Sequence, residues 1–408
     1  MTTQDSRALP LAGVRVLDLG QFIAVPFCTL WMAWLGAEVI VVESGGRMTA
    51  RGAPPFAPGH YGNPDASGYF NSLYAGKKSC ALDLTSDAGR DVARRLATVC
   101  DVMVDNFSTG VMDKLGLGYE AMSALNPRLI ALSNGAFGRS GPMKNTRGLH
   151  STVNLFSGVA DVTGYVDGAP RIHGGVLPDP LSGIFGHFAV LTALHERERS
   201  GKGQYIDLAM YEAMLTLIPE AIIDFTMNGN EPRRVGNRDR KKAPYGIYRC
   251  AGDDKWIAIS VQNDRMWASF CKAIGRADLC EDGRYTSAAG RVDDVVEIDR
   301  LVEAWTREQS VDAAADLLQK AGVAAGPVLR CDELLTNEQL QARGMIVAPP
   351  HPVAGTFPQL GLPWRMDSLQ ADYRRAPLLG EHTHEIITGL LGMSQGEFDA
   401  MNAAGVLN

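Results

Sequence analysis

The residue with the clearest capacity for chemistry is Asp179, which lies between two prolines at the start of an apolar helical pattern. Pro180 lacks an N–H and has a preset φ, so it suits the first helical position, and the residue before it is biased away from the α region. We therefore predict that a helix begins at Pro180, ends near Arg199 and has Asp179 as its N-cap. The helix is indicated by apolar residues at three- and four-residue spacing: Leu181, Ile184, Phe185, Phe188, Leu191 and Leu194.

Two roles are open for the Asp179 carboxylate. The first is structural, because an aspartate at this position caps the helix, and the local pattern alone favours it. The second is chemical. The N–H groups and the positive dipole end of a helix lower the pKa of a carboxylate placed there, so it stays ionised. An ionised carboxylate in a cleft is a possible nucleophile for covalent catalysis.

Positive charge is concentrated at Lys77 and Lys78, with Lys114 further along the chain. A solvated surface is the ordinary interpretation of such lysines. Lysine ammonium groups also suit the phosphates of a ligand, because they present a point charge on a flexible stem. The sequence alone leaves both interpretations open.

The elements that position these residues alternate between short β-branched runs and helices, which predicts an α/β fold with a mainly parallel sheet. A βαβ unit covers Val14–Glu43, and its second strand is apolar throughout, as in a strand buried on both faces. The turn Gly20–Val25 lacks the glycines that a dinucleotide pyrophosphate requires, which excludes an NAD or FAD site. Residues Gly45–Asn71 are rich in glycine, proline and small polar residues and predict a loop.

The loops that follow the predicted strands are the expected ligand-binding segments. In parallel sheets ligands gather at the carboxyl ends of the strands. We therefore expect function to reside in these loops and not in the strands. The segments are Gly20–Ile23, Glu43–Arg47, Asp105–Phe107 and Asn134–Phe137.

Changes of composition predict three segments. We predict that residues 1–228 form the N-terminal part of a large α/β domain. The polar, turn-rich run Asn228–Arg234 is predicted to be a hinge. Residues 229–330 read as a smaller α+β domain that contains a hairpin, Tyr245–Arg249 with Trp256–Ser260. Residues 331–408 are long and apolar enough that they must pack on another part of the protein.

Charge and cysteine content exclude several classes of protein. The 408-residue chain has a net charge of −7 and no long basic run, so we expect no nucleic-acid partner. Its seven cysteines contain no Cys-x-x-Cys pair, which argues against a disulfide framework and against a zinc site. With no apolar leader and no apolar run of membrane length, we expect a cytoplasmic protein that does not enter a membrane.

Several blocks of the chain, in order and at matching spacing, resemble the class III CoA-transferases, the family of formyl-CoA transferase and carnitine CoA-transferase. The resemblance extends from Leu11 to Val406. It implies a Rossmann-like parallel-sheet large domain, a smaller domain, and a C-terminal segment that returns to the large domain. It also implies an interlocked homodimer. The blocks are Leu11–Asp18, Gly36–Ile40, Gly76–Ser79, Val104–Gly110, Asp179–Gly183 and Gly201–Asp207.

The resemblance also implies an activity and a set of site residues. The activity is transfer of CoA from a thioester donor, with succinyl-CoA expected, to a carboxylic acid, through aspartyl anhydride and aspartyl-CoA thioester intermediates. CoA thioesters are then substrates, and no permanently bound cofactor and no metal are expected. Asp179 is the implied nucleophile, and His150 occupies a usually acidic position that orients a substrate carboxylate. The implied CoA contacts are Phe22, Lys77, Asn106, Phe107, Lys114 and Leu115.

Two alternatives remain within the same resemblance. An α-methylacyl-CoA racemase needs a histidine and an aspartate as paired acid and base, and His150 with Asp179 could supply them. His150, however, lies one place after the racemase histidine. The other alternative is a subunit of a heteromeric CoA-transferase of the aryl-succinate type, which would make the partner a related subunit; the presence of Asp179 argues against it.

Overall fold

Six strands form one parallel sheet in the order β3-β2-β1-β4-β5-β6. The structure, a computed structural model, describes residues 9–47 and 49–408. The prediction of an α/β fold with a parallel sheet is confirmed. The strands are β1 (Arg15–Asp18), β2 (Glu38–Glu43), β3 (Lys78–Ala81), β4 (Val102–Asp105), β5 (Ile130–Gly135) and β6 (Tyr205–Ala209).

The central strands are buried because helices cover both faces of the sheet. All of β4 and β5 is buried, as their apolar sequences require. The strand order reverses between β1 and β4, so the loops after these two strands meet at a topological switch point. The helices in this part of the chain are α1 (Ala24–Trp34), α2 (Gly68–Leu73), α3 (Asp87–Val99), α4 (Val111–Lys114), α5 (Tyr119–Leu125), α6 (His150–Phe156), α7 (Val159–Val162), α8 (Pro178–Ser200), α9 (Met210–Leu215) and α10 (Pro219–Asn228).

The chain after β6 forms two helices, α9 and α10. Pro219 begins α10, because a residue without an N–H and with a preset φ is accommodated in the first turn but not in the middle of a helix.

The chain divides into two compact units, and the second consists of residues 160–171 and 224–337. It contains an antiparallel sheet in the order β7-β8-β9, so the predicted hairpin is confirmed. Its core includes Tyr248, Trp267 and Phe270. The elements are β7 (Tyr245–Arg249), β8 (Trp256–Ser260), α11 (Asp264–Ala273), α12 (Asp278–Glu281), α13 (Ala288–Asp293), α14 (Val295–Thr306), α15 (Val311–Lys320), β9 (Ala324–Pro327) and α16 (Cys331–Leu334).

Of the described residues, 9–47, 49–159, 172–223 and 338–408 form the first unit, so the C-terminal segment packs with the six-stranded sheet. Ile386 and Val406 lie in one apolar cluster with Leu17 of β1. Arg51, which is 2% exposed, donates to the carbonyl oxygen of Pro377 at 3.1 Å. The elements of this segment are α17 (Glu338–Ala342), β10 (Ile346–Val347), β11 (Gln359–Leu360), a π-helix (Glu385–Leu390) and α18 (Gln395–Ala403).

None of the helices within residues 9–47 and 49–408 combines the length and the apolar character that a membrane span needs.

Candidate active site

Asp179 lies in the first turn of α8, and its position within that turn differs from the prediction. The helix begins at Pro178 and the flanking residue is Leu177, so Asp179 is the second helical residue and not the N-cap. Pro178 supplies the preset φ of the first position, which moves the helix start two residues upstream. Tertiary packing overrides the bias that Pro180 places on Asp179. A Cβ at Gly183 would lie 2.7 Å from the carbonyl oxygen of Ala24, so only glycine lets α8 approach α1 this closely.

The pKa of the Asp179 carboxyl is raised to about 6, which contradicts the prediction of a lowered pKa. Burial is the main cause, because it removes water from the charged form. The charge of His150 and the backbone N–H of Ala24 lower the pKa and offset part of that effect. The Oδ2 atom is buried and has no hydrogen-bond partner within the described residues. The effect of burial on the pKa of Asp179 is therefore larger than the opposite effect of the helix N-terminus. It leaves a basic, poorly solvated carboxylate oxygen.

His150 begins α6 and acts electrostatically on Asp179, so the structure brings the two predicted catalytic residues into one neighbourhood. Within the same turn, the Thr152 hydroxyl accepts a hydrogen bond from the backbone N–H of Leu149 at 2.8 Å. This capping bond fixes the start of α6 and hence the place of the imidazole.

Tyr69 is a neighbour of Asp179 that sequence reasoning missed. It lies in α2, although the sequence predicted a loop as far as Asn71. The Ser67 hydroxyl caps this helix by accepting a hydrogen bond from the N–H of Phe70. Burial, and then the negative charge of Asp179, raise the pKa of Tyr69 to about 12. The phenol therefore keeps its proton at neutral pH and can donate a hydrogen bond. No local sequence signal identifies it, because its proximity to Asp179 arises only from the fold.

The loop between β1 and α1 is held by the side chain of Asn106. The amide of Asn106 accepts from the N–H of Gln21 at 2.8 Å and donates to the Gln21 carbonyl oxygen at 2.7 Å. The next residue, Phe22, has a φ of 60° and its side chain is 51% exposed. A non-glycine residue at positive φ needs such external restraint. Asn106 thus joins the loops after β1 and β4 and fixes an aromatic side chain at the switch point.

Lys77 is buried, so the interpretation of this residue as part of a solvated surface is wrong. Its side chain is 0% exposed, and its Nζ atom lies 3.1 Å from Oδ2 of Asp18. Nζ also donates to the carbonyl oxygen of Pro26 at 2.9 Å and to the hydroxyl of Thr29 at 2.8 Å. All three hydrogen-bond donors of the ammonium group are occupied, so Lys77 supports the start of α1 and is not available for a phosphate.

The remaining predicted CoA contacts do not all lie at one site in the structure. Phe107 lines a cleft of about 740 Å³ together with Asn106. Lys114 is exposed at the end of α4, outside the lining of that cleft, and Leu115 packs against the apolar cluster of β1. The cleft instead carries three basic residues that sequence reasoning did not select: Arg139, Lys144 and Arg147.

Arg139 forms an ion pair within this cleft, because its guanidinium lies 3.1 Å from Oδ1 of Asp105. Burial raises the pKa of Asp105, and Arg139 offsets part of this effect. Lys144 and Arg147 follow in the loop before α6 and give the cleft a basic wall. Within residues 9–47 and 49–408, no cluster of histidine, cysteine, aspartate and glutamate has the arrangement of a metal site.

Solved structures share this fold over nearly the whole chain. A CAIB/BAIF family protein from Brucella suis superposes with a TM-score of 0.86 at 31% identity, covering 94% of this chain and all of that one. Rv3272 from M. tuberculosis gives a TM-score of 0.80 at 29% identity, covering 92% of this chain and 99% of that one.

Sequence comparisons agree with the structural ones. The succinyl-CoA–D-citramalate CoA-transferase of Chloroflexus aurantiacus is 32% identical, with 98% of each chain covered. The formyl-CoA:oxalate CoA-transferase of Bradyrhizobium diazoefficiens is 31% identical, with 97% of each covered. The succinate–glutarate CoA-transferase of Agrobacterium fabrum is also 31% identical, covering 96% of this chain and 98% of its own. The profile of CoA-transferase family III matches residues 11–383, and the chain belongs to that family of enzymes.

Proposed function

We propose that this enzyme transfers CoA from succinyl-CoA to a second carboxylic acid through covalent intermediates on Asp179. The observation that carries the proposal is the Asp179 carboxylate, which has a raised pKa and a buried oxygen without a partner within the described residues. Such an oxygen is more basic than a solvated carboxylate and loses less hydration when it attacks. The names of two relatives support succinyl-CoA or succinate as one substrate.

The proposed reaction divides one difficult exchange into easier acyl transfers. A carboxylate oxygen of Asp179 attacks the thioester carbonyl, the C–S bond breaks, and a mixed anhydride and CoA thiolate form. The thiolate then attacks the aspartyl carbonyl, which releases succinate and leaves an aspartyl-CoA thioester. The acceptor carboxylate reverses these two steps, and the new acyl-CoA leaves with Asp179 restored.

Tyr69 and His150 are the proposed groups that act beside this nucleophile. The protonated phenol of Tyr69 is a hydrogen-bond donor for the oxyanion that each attack creates. His150 is proposed to hold the carboxylate of the acid substrate, because its charge already acts on the same region. The apolar surroundings that raise the pKa of Asp179 also keep water away, which protects an anhydride from hydrolysis.

We propose that the CoA chain lies along the cleft at the switch point of the sheet. Phe22, Asn106 and Phe107 are retained as contacts, and Lys144 and Arg147 are added as partners for the phosphates. Lys114 stays a proposed contact of the nucleotide end, because it is exposed beyond the cleft.

The function is tested with succinyl-CoA and a panel of acids that includes citramalate, glutarate and oxalate, with each acyl-CoA product measured by mass spectrometry. We expect a new thioester for at least one acid, with one succinate released per thioester formed. The racemase alternative is tested in parallel with an α-deuterated 2-methylacyl-CoA. Loss of deuterium to solvent, without CoA exchange for any donor, would contradict the transferase proposal.

We also propose that two copies of the chain associate. Large apolar side chains are exposed on neighbouring helices, Leu155 and Phe156 on α6 and Ile184 and Phe188 on α8. Apolar side chains of this size at one surface are typical of an interface. Light scattering after gel filtration distinguishes a dimer of two chains from a monomer, and co-purification of a related chain would indicate the heteromeric alternative.

The pH dependence of the reaction follows from the raised pKa of Asp179. The carboxylate must be ionised to attack, so with a pKa of about 6 the reactive fraction rises from about one tenth at pH 5 to about nine tenths at pH 7. We expect kcat/KM for the donor to fall below a midpoint near pH 6. Rates measured from pH 4.5 to pH 8 test this, and a flat profile over that range would exclude Asp179 as the group that titrates.

Loss of the Asn106 amide is expected to weaken donor binding. The Asn106→Ala variant frees Gln21 and lets Phe22 leave its positive-φ conformation, so we expect KM for succinyl-CoA to rise on the order of 10-fold. Asn126→Ala is the matched control. This side-chain amide also donates to backbone carbonyls, but it lies just before β5, at the amino-terminal ends of the strands, whereas Asn106 lies at their carboxyl ends. Equal KM values for the two variants would contradict the assigned role of Asn106.

A further inference from the structure

A chain of hydrogen bonds from two buried side chains connects the parallel sheet to the first turn of α8. The side-chain amide of Asn134 donates from Nδ2 to the hydroxyl oxygen of Ser182 at 3.0 Å. That hydroxyl donates in turn to the backbone carbonyl oxygen of Asp179 at 3.0 Å. Asn134 is 2% exposed and Ser182 is 0% exposed, so both donor side chains are shielded from solvent.

The direction of the chain follows from its middle member. Ser182 has one hydroxyl proton, and that proton is used on the Asp179 carbonyl, so its oxygen must accept from Asn134. The orientation of the Asn134 amide is therefore fixed with Nδ2 toward α8. Its Oδ1 is buried and unpaired within the described residues. An unpaired buried acceptor costs stability, so this arrangement calls for a compensating role.

The first turn of α8 has few backbone hydrogen bonds to hold it in place. Asp179 lies between Pro178 and Pro180, neither of which has an N–H with which to bond the preceding turn. Asn134, by contrast, lies on β5, which is bonded on both sides by β4 and β6. The hydrogen-bond chain thus joins a weakly restrained turn to a strand inside the sheet.

We infer that Asn134 and Ser182 are positioning residues that hold Asp179 in its reactive orientation. The inference rests on the proposed function of Asp179 as nucleophile. Neither side chain touches the carboxylate; both act through the main chain that carries it. With the hydrogen-bond chain intact, the carboxylate stays beside the N–H of Ala24 and close enough to His150 to interact with it electrostatically. Without it, the first turn of α8 can rotate and move the carboxylate away from both groups.

The test uses Ser182→Ala, which removes both bonds of the chain, and Asn134→Leu, which removes only the bond to Ser182; neither change adds a charge. We expect kcat to fall on the order of 10- to 100-fold, because a displaced nucleophile meets the thioester in poor geometry. We expect KM for succinyl-CoA to stay within about twofold, because neither side chain lies in the cleft. The acid limb of the kcat/KM profile is expected to move to higher pH, since Asp179 loses two of the groups that favour its ionised form, His150 and the N–H of Ala24.

Two further variants separate positioning from a general packing effect. Ser182→Thr keeps the hydroxyl and is expected to restore kcat and the acid limb. Thr192→Ala is the matched control, because the Thr192 hydroxyl also donates to a carbonyl of its own helix, that of Phe188 at 2.9 Å, but on the exposed face of α8. We expect that control to keep the wild-type kcat, KM and acid limb.

The outcomes distinguish this inference from the proposed function. Intact mass of the wild-type protein after incubation with succinyl-CoA and hydroxylamine shows whether Asp179 reacts at all. If it does, and Ser182→Ala and Asn134→Leu keep the wild-type kcat and acid limb, the inference is wrong although the function stands. A lower melting temperature with an unchanged acid limb would also overturn it, in favour of a purely structural role. If the wild type forms no adduct, the proposed function is overturned and the inference with it.

Discussion

The Asp179→Asn variant is expected to lose CoA transfer by on the order of 10⁴-fold or more while it keeps its fold. Asparagine has nearly the same shape as aspartate, so the close packing of α8 on α1 is preserved. Its amide oxygen is a poor nucleophile, and an anhydride cannot form on it. The burial that raises the pKa of Asp179 favours a neutral side chain at this position, so we expect no loss of stability.

The measurement is intact mass after incubation with succinyl-CoA and hydroxylamine. Wild-type protein should gain an aspartyl hydroxamate, located at Asp179 by peptide mapping, only when the thioester is present. Asp87→Asn is the matched control, because Asp87 also lies in the first turn of a helix but its side chain is fully exposed. Hydroxamate formation in Asp179→Asn at the wild-type rate would place the nucleophile elsewhere.

Lys77→Met is expected to destabilise the first unit by about 3–5 kcal/mol, because it leaves the carboxylate of Asp18 buried without its counter-charge. Both side chains are fully buried, and Thr29 donates to the same Asp18 oxygen at 2.6 Å. Burial lowers the pKa of Lys77, and the carboxylate of Asp18 offsets part of that effect. Loss of the ammonium group removes the main compensation for the buried carboxylate and releases Pro26 at the start of α1.

Urea denaturation followed by far-ultraviolet circular dichroism measures this change. Lys78→Met is the matched control, since Lys78 is the next residue and pairs with Glu38 at 2.8 Å and Glu385 at 2.6 Å near the surface. We expect that change to cost less than about 1 kcal/mol. The double variant Asp18→Asn/Lys77→Met should recover more than half of the stability lost in Lys77→Met, because it removes the unpaired charge. Equal effects of Lys77→Met and Lys78→Met would contradict the buried pair.

The parallel sheet and the existence of α8 follow from the amino-acid sequence alone. Continuous apolar runs such as Val39–Val42 have no stable place except a strand covered on both faces, so their burial follows from composition. The apolar spacing after Asp179 likewise predicts a helix that extends through Leu194. Ordered blocks over the whole chain sufficed to identify the family, because they record many local constraints together.

The roles of the charged side chains depend on long-range packing. Lys77 and Lys78 are identical neighbours, yet one is buried and the other lies near the surface, because successive residues of an extended chain face opposite sides. The sign of the pKa shift of Asp179 depends on burial by segments distant in sequence, which outweighs the local helix terminus that the sequence displays. Tyr69 reaches the same site for that reason, and so do Asn134 and Ser182: long-range packing, which no local pattern encodes, brings them together.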